Sequence, residues 1–132
     1  FSAEELSQVI ATNLTGAFTL AQAAHPHLRQ SRGCLVNFAS SSYTRGRAFY
    51  AAYSATKAGV VNLTQALAEE WAPEGVRVVC MNPERTRTPM RVRNFGTEPV
   101  DSLLDPDTVA RATLQALLSP LTGVVFDVRR DC

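Results

Sequence analysis

Apolar residues recur at three- and four-residue steps from Leu6 through Val9, Ile10, Leu14, Ala17 and Leu20 to Ala24, the spacing of an amphipathic helix. Ser2 and Glu5 fit a capping box at its start, and Pro26 is expected to bend or end it. After a Ser31-Arg32-Gly33 turn the period changes. Cys34-Leu35-Val36-Asn37-Phe38-Ala39 is a short buried-strand pattern, followed by a loop of serines, Gly46 and arginines. A second helix is predicted from near Phe49 to about Trp71, with Val60, Leu63, Leu67 and Trp71 as its stripe and Pro73 with Gly75 as its stop.

Val76-Arg77-Val78-Val79-Cys80-Met81 is almost continuously apolar, which suits a strand covered on both faces by helices. The stretch from Asn82 to Leu104 is rich in Pro and Arg and has little periodicity; connections this long are usually functional or mobile. Asp105 and Pro106 read as N-cap and first residue of a third helix, with Ala110, Leu114, Leu117 and Leu118 as its buried stripe. Ser119-Pro120 ends it, and Thr122-Gly123 turns into a last strand, Val124 to Val128. The order helix, strand, helix, strand, helix, strand implies an α/β fold with parallel strands joined by helical crossovers. Residues 1–132 are then expected to form one partial domain, because the strand that should precede the first helix is not among them.

Composition narrows the function classes. Hydrophobic residues make up 45% and charged residues 19%, as in an ordinary globular chain. A formal net charge of +1 argues against nucleic-acid binding through a basic surface. No apolar run approaches the roughly 18 residues of a membrane span, and the acidic start after Phe1 is unlike a signal peptide. Cys34, Cys80 and Cys132 show no metal-ligand spacing; the first two sit in apolar runs, as core thiols of a reduced, cytoplasmic protein would.

The candidate chemistry starts at Tyr53 and Lys57, which share a helix face at i and i+4. A free tyrosine has a pKa of roughly 10, and a neighbouring cation favours its phenolate, which would make it usable in proton transfer. By itself such a pair is more often chance, a surface tyrosine beside a surface lysine. Small residues around it, Ala51, Ala52, Ala55, Ala58 and Gly59, leave room for a close neighbour. Ser40 stands thirteen residues upstream, at the end of the first strand, and Asn82 to Thr88 follow the second strand at the same edge. Function in open parallel sheets gathers there. Asn13 interrupts an apolar stripe, so its amide must find partners in the core or hold a water.

Asn13-Leu-Thr-Gly-Ala-Phe, Val36-Asn37-Phe38-Ala39-Ser40, Tyr53-x-x-x-Lys57 and Asn82-Pro83 together resemble the short-chain dehydrogenase/reductase pattern in order and spacing. The resemblance implies the C-terminal, catalytic portion of a Rossmann-type doubly wound sheet. It implies Tyr53 as the acid/base, Ser40 as hydrogen-bond donor to the substrate carbonyl, Lys57 on the nicotinamide ribose, and Asn13 holding a water in a proton relay. Pro83, Glu84, Thr86 and Thr88 fall on the segment that contacts the cofactor. The family usually has Pro-Gly where this chain has Pro83-Glu84. The glycine-rich phosphate loop is not among these residues, so by themselves they are expected to bind cofactor poorly.

Ser41-Ser42-Tyr43-Thr44-Arg45-Gly46-Arg47, Ala66 to Trp71 and Asn82 to Arg91 are similar to one branch, the reductase half of bifunctional cytidylyltransferase/reductase enzymes that make CDP-ribitol. That resemblance implies reduction of ribulose 5-phosphate to ribitol 5-phosphate with NADP(H), or NAD(H), and a fused cytidylyltransferase domain upstream. Arg45, Arg47, Arg85, Arg87, Arg91 and Arg93 sit on two loops at the expected active edge, where they are either solvated or bind phosphate. The rival readings are a reductase of another carbonyl, such as a 3-oxoacyl thioester, and a catalytically silent assembly module. The family associates through the helices holding Asn13 and Tyr53 and through the last helix and strand, so a homo-oligomer is expected.

Overall fold

A computed structural model describes residues 2–130, so Phe1 and Cys132 lie outside the described residues. The capping box forms as expected: the Ser2 backbone N–H donates to Glu5 Oε2 at 2.7 Å, and the Glu5 N–H donates to Ser2 Oγ at 3.1 Å. Helix α1 (Ala3–Ile10) passes through a wider π segment (Ala11–Thr15) into α2 (Gly16–Ser31) without leaving right-handed backbone. Pro26 does not end this rod. It and Gln22, whose carbonyl loses its donor, are both exposed residues, so the interruption falls on the solvent side of the rod. The helix stops instead at Arg32, which takes a left-handed conformation at φ 52°.

Three strands, β1 (Cys34–Phe38), β2 (Arg77–Pro83) and β3 (Val125–Val128), form a parallel sheet in the order β1-β2-β3. The sheet with helices between its strands is the α/β arrangement the pattern implied. β2 is the centre, and its residues Val78 to Met81 are 0% exposed. Alternation along β2 divides the core. Val78 packs with Ala21, Leu35, Ala68 and Trp71, and Cys80 packs with Val60 and Val61 of α3 (Ala51–Trp71). Val79 and Met81 point the other way, toward Ala116 of α5 (Pro106–Leu118).

Two expectations need correcting. The buried face of α5 is Val109, Ala112 and Ala116, whereas Ala110 is exposed and Leu114 and Leu118 are 59% and 87% exposed. Leu117 is half-buried. Both faces of this helix are apolar, and the short side chains of Ala112 and Ala116 are the ones that let it lie close on the sheet. The stretch from Asn82 to Leu104 is also not wholly irregular, for it contains α4 (Pro89–Phe95). Thr88 caps α4 by accepting from the Arg91 N–H at 3.1 Å, and Pro89 takes the first turn, where a missing N–H costs nothing. Among the described residues no helix is long and apolar enough to cross a membrane.

Candidate active site

The carboxyl ends of β1 and β2 open onto a cavity of about 810 Å³. Its wall takes Ser40 and Ser42 from the end of β1, Tyr50 and Tyr53 from the start of α3, Glu84 and Arg85 from the end of β2, and Met90, Arg91 and Phe95 from α4. Two residues proposed from sequence for proton transfer and carbonyl binding, Tyr53 and Ser40, are thus brought to one space.

Ser40 has extended backbone and caps the 3-10 turn Ser41–Tyr43. Its Oγ accepts the Ser42 hydroxyl at 3.1 Å and the Ser42 N–H at 3.4 Å. Ser42 is 6% exposed and was not singled out by sequence reasoning, although three serines in a row after a strand are a signal of local side-chain bonding. Lys57 is half-buried. Its Nζ donates to the Phe38 carbonyl at 3.0 Å and lies 5.7 Å from the Tyr53 ring centroid. Burial pushes the Lys57 ammonium below its ordinary value, against a smaller opposing effect of Cys80.

Asn13 sits in the π segment, where its Nδ2 donates to Thr56 Oγ1 at 3.2 Å. The Thr56 hydroxyl donates in turn to the Tyr53 carbonyl at 2.8 Å. The donor of this half-buried amide is met by the turn that carries Tyr53. The rods are close here: a Cβ on Gly59 would come within 3.0 Å of Leu14 Cδ1.

Along the second edge, the Glu84 N–H donates to the Val128 carbonyl at 2.9 Å, and Glu84 Oε2 accepts from the Arg130 backbone N–H at 3.0 Å. The left-handed non-glycine residues among those described are Arg32 and Phe49, so Glu84 replaces the family's glycine without backbone strain. Thr86 donates to the Glu84 carbonyl at 2.8 Å, and Thr88 is the α4 cap; neither lines the cavity, nor does Pro83.

The arginines separate. Arg47 and Arg85 line the cavity. Arg91 lines it too, but its fork is taken by Glu98, at 2.8 Å through Nε and 3.3 Å through Nη2, and its guanidinium lies 3.9 Å from the Phe95 ring centroid. Arg91 therefore acts as a brace for α4, not as a free phosphate fork. Arg87 leans toward Asp105 at 3.6 Å, and Arg45, Arg87 and Arg93 are not part of the cavity wall.

A family model described as short chain dehydrogenase matches residues 1–99. The bifunctional ribulose 5-phosphate reductase/CDP-ribitol pyrophosphorylase of Haemophilus influenzae is 53% identical over 127 residues, covering 96% of this chain and 27% of that protein. The L-fucose dehydrogenase of Mus musculus is 40% identical over 89 residues, 67% of this chain and 33% of the relative. Among solved structures, a short chain dehydrogenase from Salmonella enterica serovar Typhi superposes with a TM-score of 0.88 at 33% identity, over 98% of this chain and 55% of that one. A 3-ketoacyl-(acyl-carrier-protein) reductase from Brucella melitensis, complexed with NADH, superposes with a TM-score of 0.84 at 32% identity, over 97% and 57%. The chain thus spans about a quarter to a third of the two curated relatives' length. With the motifs, the parallel sheet and the shared cavity in agreement, the chain belongs to the short-chain dehydrogenase family.

Proposed function

We propose that this chain is the catalytic portion of a nicotinamide-dependent reductase that interconverts a ketone and a secondary alcohol on a sugar phosphate, such as ribulose 5-phosphate and ribitol 5-phosphate. The observation that carries the reading is the meeting of Tyr53 and Ser40 with Arg47 and Arg85 around one cavity. Proton transfer and anion recognition are thereby offered to the same small molecule. The Haemophilus relative named for that reaction supports the choice of substrate.

The residues present fit a nicotinamide. Lys57 has three donors and spends one on the Phe38 carbonyl, which leaves two for ribose hydroxyls beside Tyr53. When bound, that group would supply or accept the hydride. Tyr53 would then give its phenolic proton to the carbonyl oxygen during reduction and recover one from solvent. Ser40 would donate a hydrogen bond to the same oxygen, an arrangement worth about 3–4 kcal/mol when charge develops there. NADP(H) is the cofactor of this proposal, with NAD(H) as the alternative, since the Brucella neighbour was captured with NADH. A cytidylyltransferase unit in the same protein would activate the alcohol product. The outward Leu114 and Leu118 of α5 support self-association through that face, which a sizing column would reveal.

The test is made at the full length of the family relatives, with steady-state kinetics on ribulose 5-phosphate and on ribulose. Arg85→Ala should raise KM for the phosphorylated ketose roughly tenfold or more, as expected for one lost charged hydrogen bond. The unphosphorylated ketose should scarcely notice the change. Equal effects on both substrates would end the phosphate assignment, and preferential turnover of a 3-oxoacyl thioester would replace the substrate class.

A further inference from the structure

Glu84 is the feature that neither phosphate binding nor proton transfer explains. It lies at the end of β2 on the same cavity wall as Tyr53 and Ser40, with Arg47 and Arg85 nearby on that wall. A negative side chain does nothing for phosphate affinity and would weaken it. Nor does the backbone dictate the residue: Glu84 is not among the left-handed positions, so its side chain is the feature to explain. Its carboxylate is held from behind, because Oε2 accepts the Arg130 N–H at 3.0 Å while its own N–H is anchored on Val128. A half-buried carboxylate is an acceptor only, and it is costly to keep from water unless donors come to it. The Arg130 N–H satisfies one of its roughly four acceptor directions. Its other acceptor directions are open to water or to whatever enters the cavity that Glu84 lines.

We infer that Glu84 reads the hydroxyl groups of the substrate, and so makes the cavity specific for a polyhydroxylated chain. Arg47 and Arg85 would take the anionic end, Tyr53 and Ser40 the carbonyl, and Glu84 the hydroxyls beside it. The division is chemically consistent: forks of donors for the phosphate, one fixed acceptor for O–H groups. A thioester or a plain aliphatic ketone has no hydroxyl to give and would leave the carboxylate unpaired as water is expelled, which penalises it. The inference rests on the sugar-phosphate reading above, but it can fail separately.

The test uses the full-length reductase with two ketone phosphates, ribulose 5-phosphate and hydroxyacetone phosphate, which lacks the carbon-chain hydroxyls. Glu84→Gln keeps the size and the acceptor for the Arg130 N–H while removing the charge. It should raise KM for ribulose 5-phosphate roughly tenfold. It should leave hydroxyacetone phosphate within about twofold, since no charged hydrogen bond is lost there. NADPH affinity, followed by fluorescence, should be unchanged, which also reports that the variant is folded. Equal losses on both ketone phosphates would overturn the role of Glu84 and leave the phosphate reading standing. A fall in NADPH affinity without a change in KM would overturn it in favour of a cofactor contact. A wild-type enzyme that prefers ribulose over hydroxyl-free ketones yet ignores phosphate would keep Glu84 and sink the phosphate reading.

Discussion

Replacing Ser42 by alanine removes one hydroxyl and almost no volume from a site that is 6% exposed. That hydroxyl donates to Ser40 Oγ at 3.1 Å, and the Ser42 N–H donates to the same oxygen at 3.4 Å. A serine oxygen has two acceptor positions. With both occupied, the hydrogen of Ser40 is what remains to be offered to a substrate carbonyl. Alanine leaves the longer backbone contact and frees Ser40 to turn. A neutral hydrogen bond contributes about 0.5–1.5 kcal/mol net. Spent on orienting the donor, that corresponds to a kcat reduced roughly two- to twelvefold. Ser40→Ala, which removes the donor itself, should cost about a hundred- to a thousandfold. Steady-state kinetics on the full-length reductase should find the Ser42→Ala loss in kcat with little change in KM, and Ser42→Thr should recover most of it. An unchanged kcat in Ser42→Ala beside a collapsed Ser40→Ala would refute the positioning role. A loss as large as that of Ser40→Ala would also refute it, and would put Ser42 itself on the substrate.

Trp71 is 5% exposed, packs in the cluster beneath β1 and β2, and stacks on His25 with ring centroids 4.4 Å apart. Trp71→Ala should lower unfolding free energy by about 3–5 kcal/mol in urea titrations. It lies 18 residues along α3 from Tyr53, roughly 27 Å by helical rise, so KM of the folded fraction should not move. Lys57 gives a pH signature. Its pKa is lowered by burial in the folded state, so the unfolded chain binds more protons in the window between the two values. The penalty for its charge is therefore fully present below the folded pKa and is relieved as pH rises toward the ordinary lysine value of about 10.4. The stability difference between wild type and Lys57→Met should shift in favour of wild type across that alkaline window; a pH-independent difference would contradict the burial argument.

Much of this was legible in the chain because the two periods, near 3.6 and 2, report burial directly. The strand cores around Val36, Val79 and Phe126, and the helix carrying Tyr53, follow from them. Periodicity misled on α5 because Leu114 and Leu118 are apolar yet face outward, and a stripe count cannot tell which of two apolar faces meets the sheet. It was silent on α4, whose seven residues are too few for a stripe, though Thr88-Pro89 is a helix start in itself. At the site, spacing and family likeness single out Tyr53, Lys57, Ser40 and Asn13, of which Tyr53 and Ser40 share the cavity wall. The sorting of the arginines was not legible, because it depends on a carboxylate seven residues away: Glu98 occupies Arg91, while Arg47 and Arg85 reach the cavity from different loops. Ser42 falls within the Ser41–Arg47 segment, but spacing there does not reveal its contact two residues back along the chain, onto Ser40.

On the proposed reading Tyr53 supplies the proton for carbonyl reduction. Tyr53→Phe in the full-length reductase removes one oxygen from the cavity wall and should leave NADPH binding, measured by fluorescence titration, near the wild-type value. Reductase turnover on ribulose 5-phosphate should fall by about 100- to 10,000-fold, the contribution of general acid catalysis. Turnover within a few-fold of wild type in a variant that still binds NADPH would contradict the account.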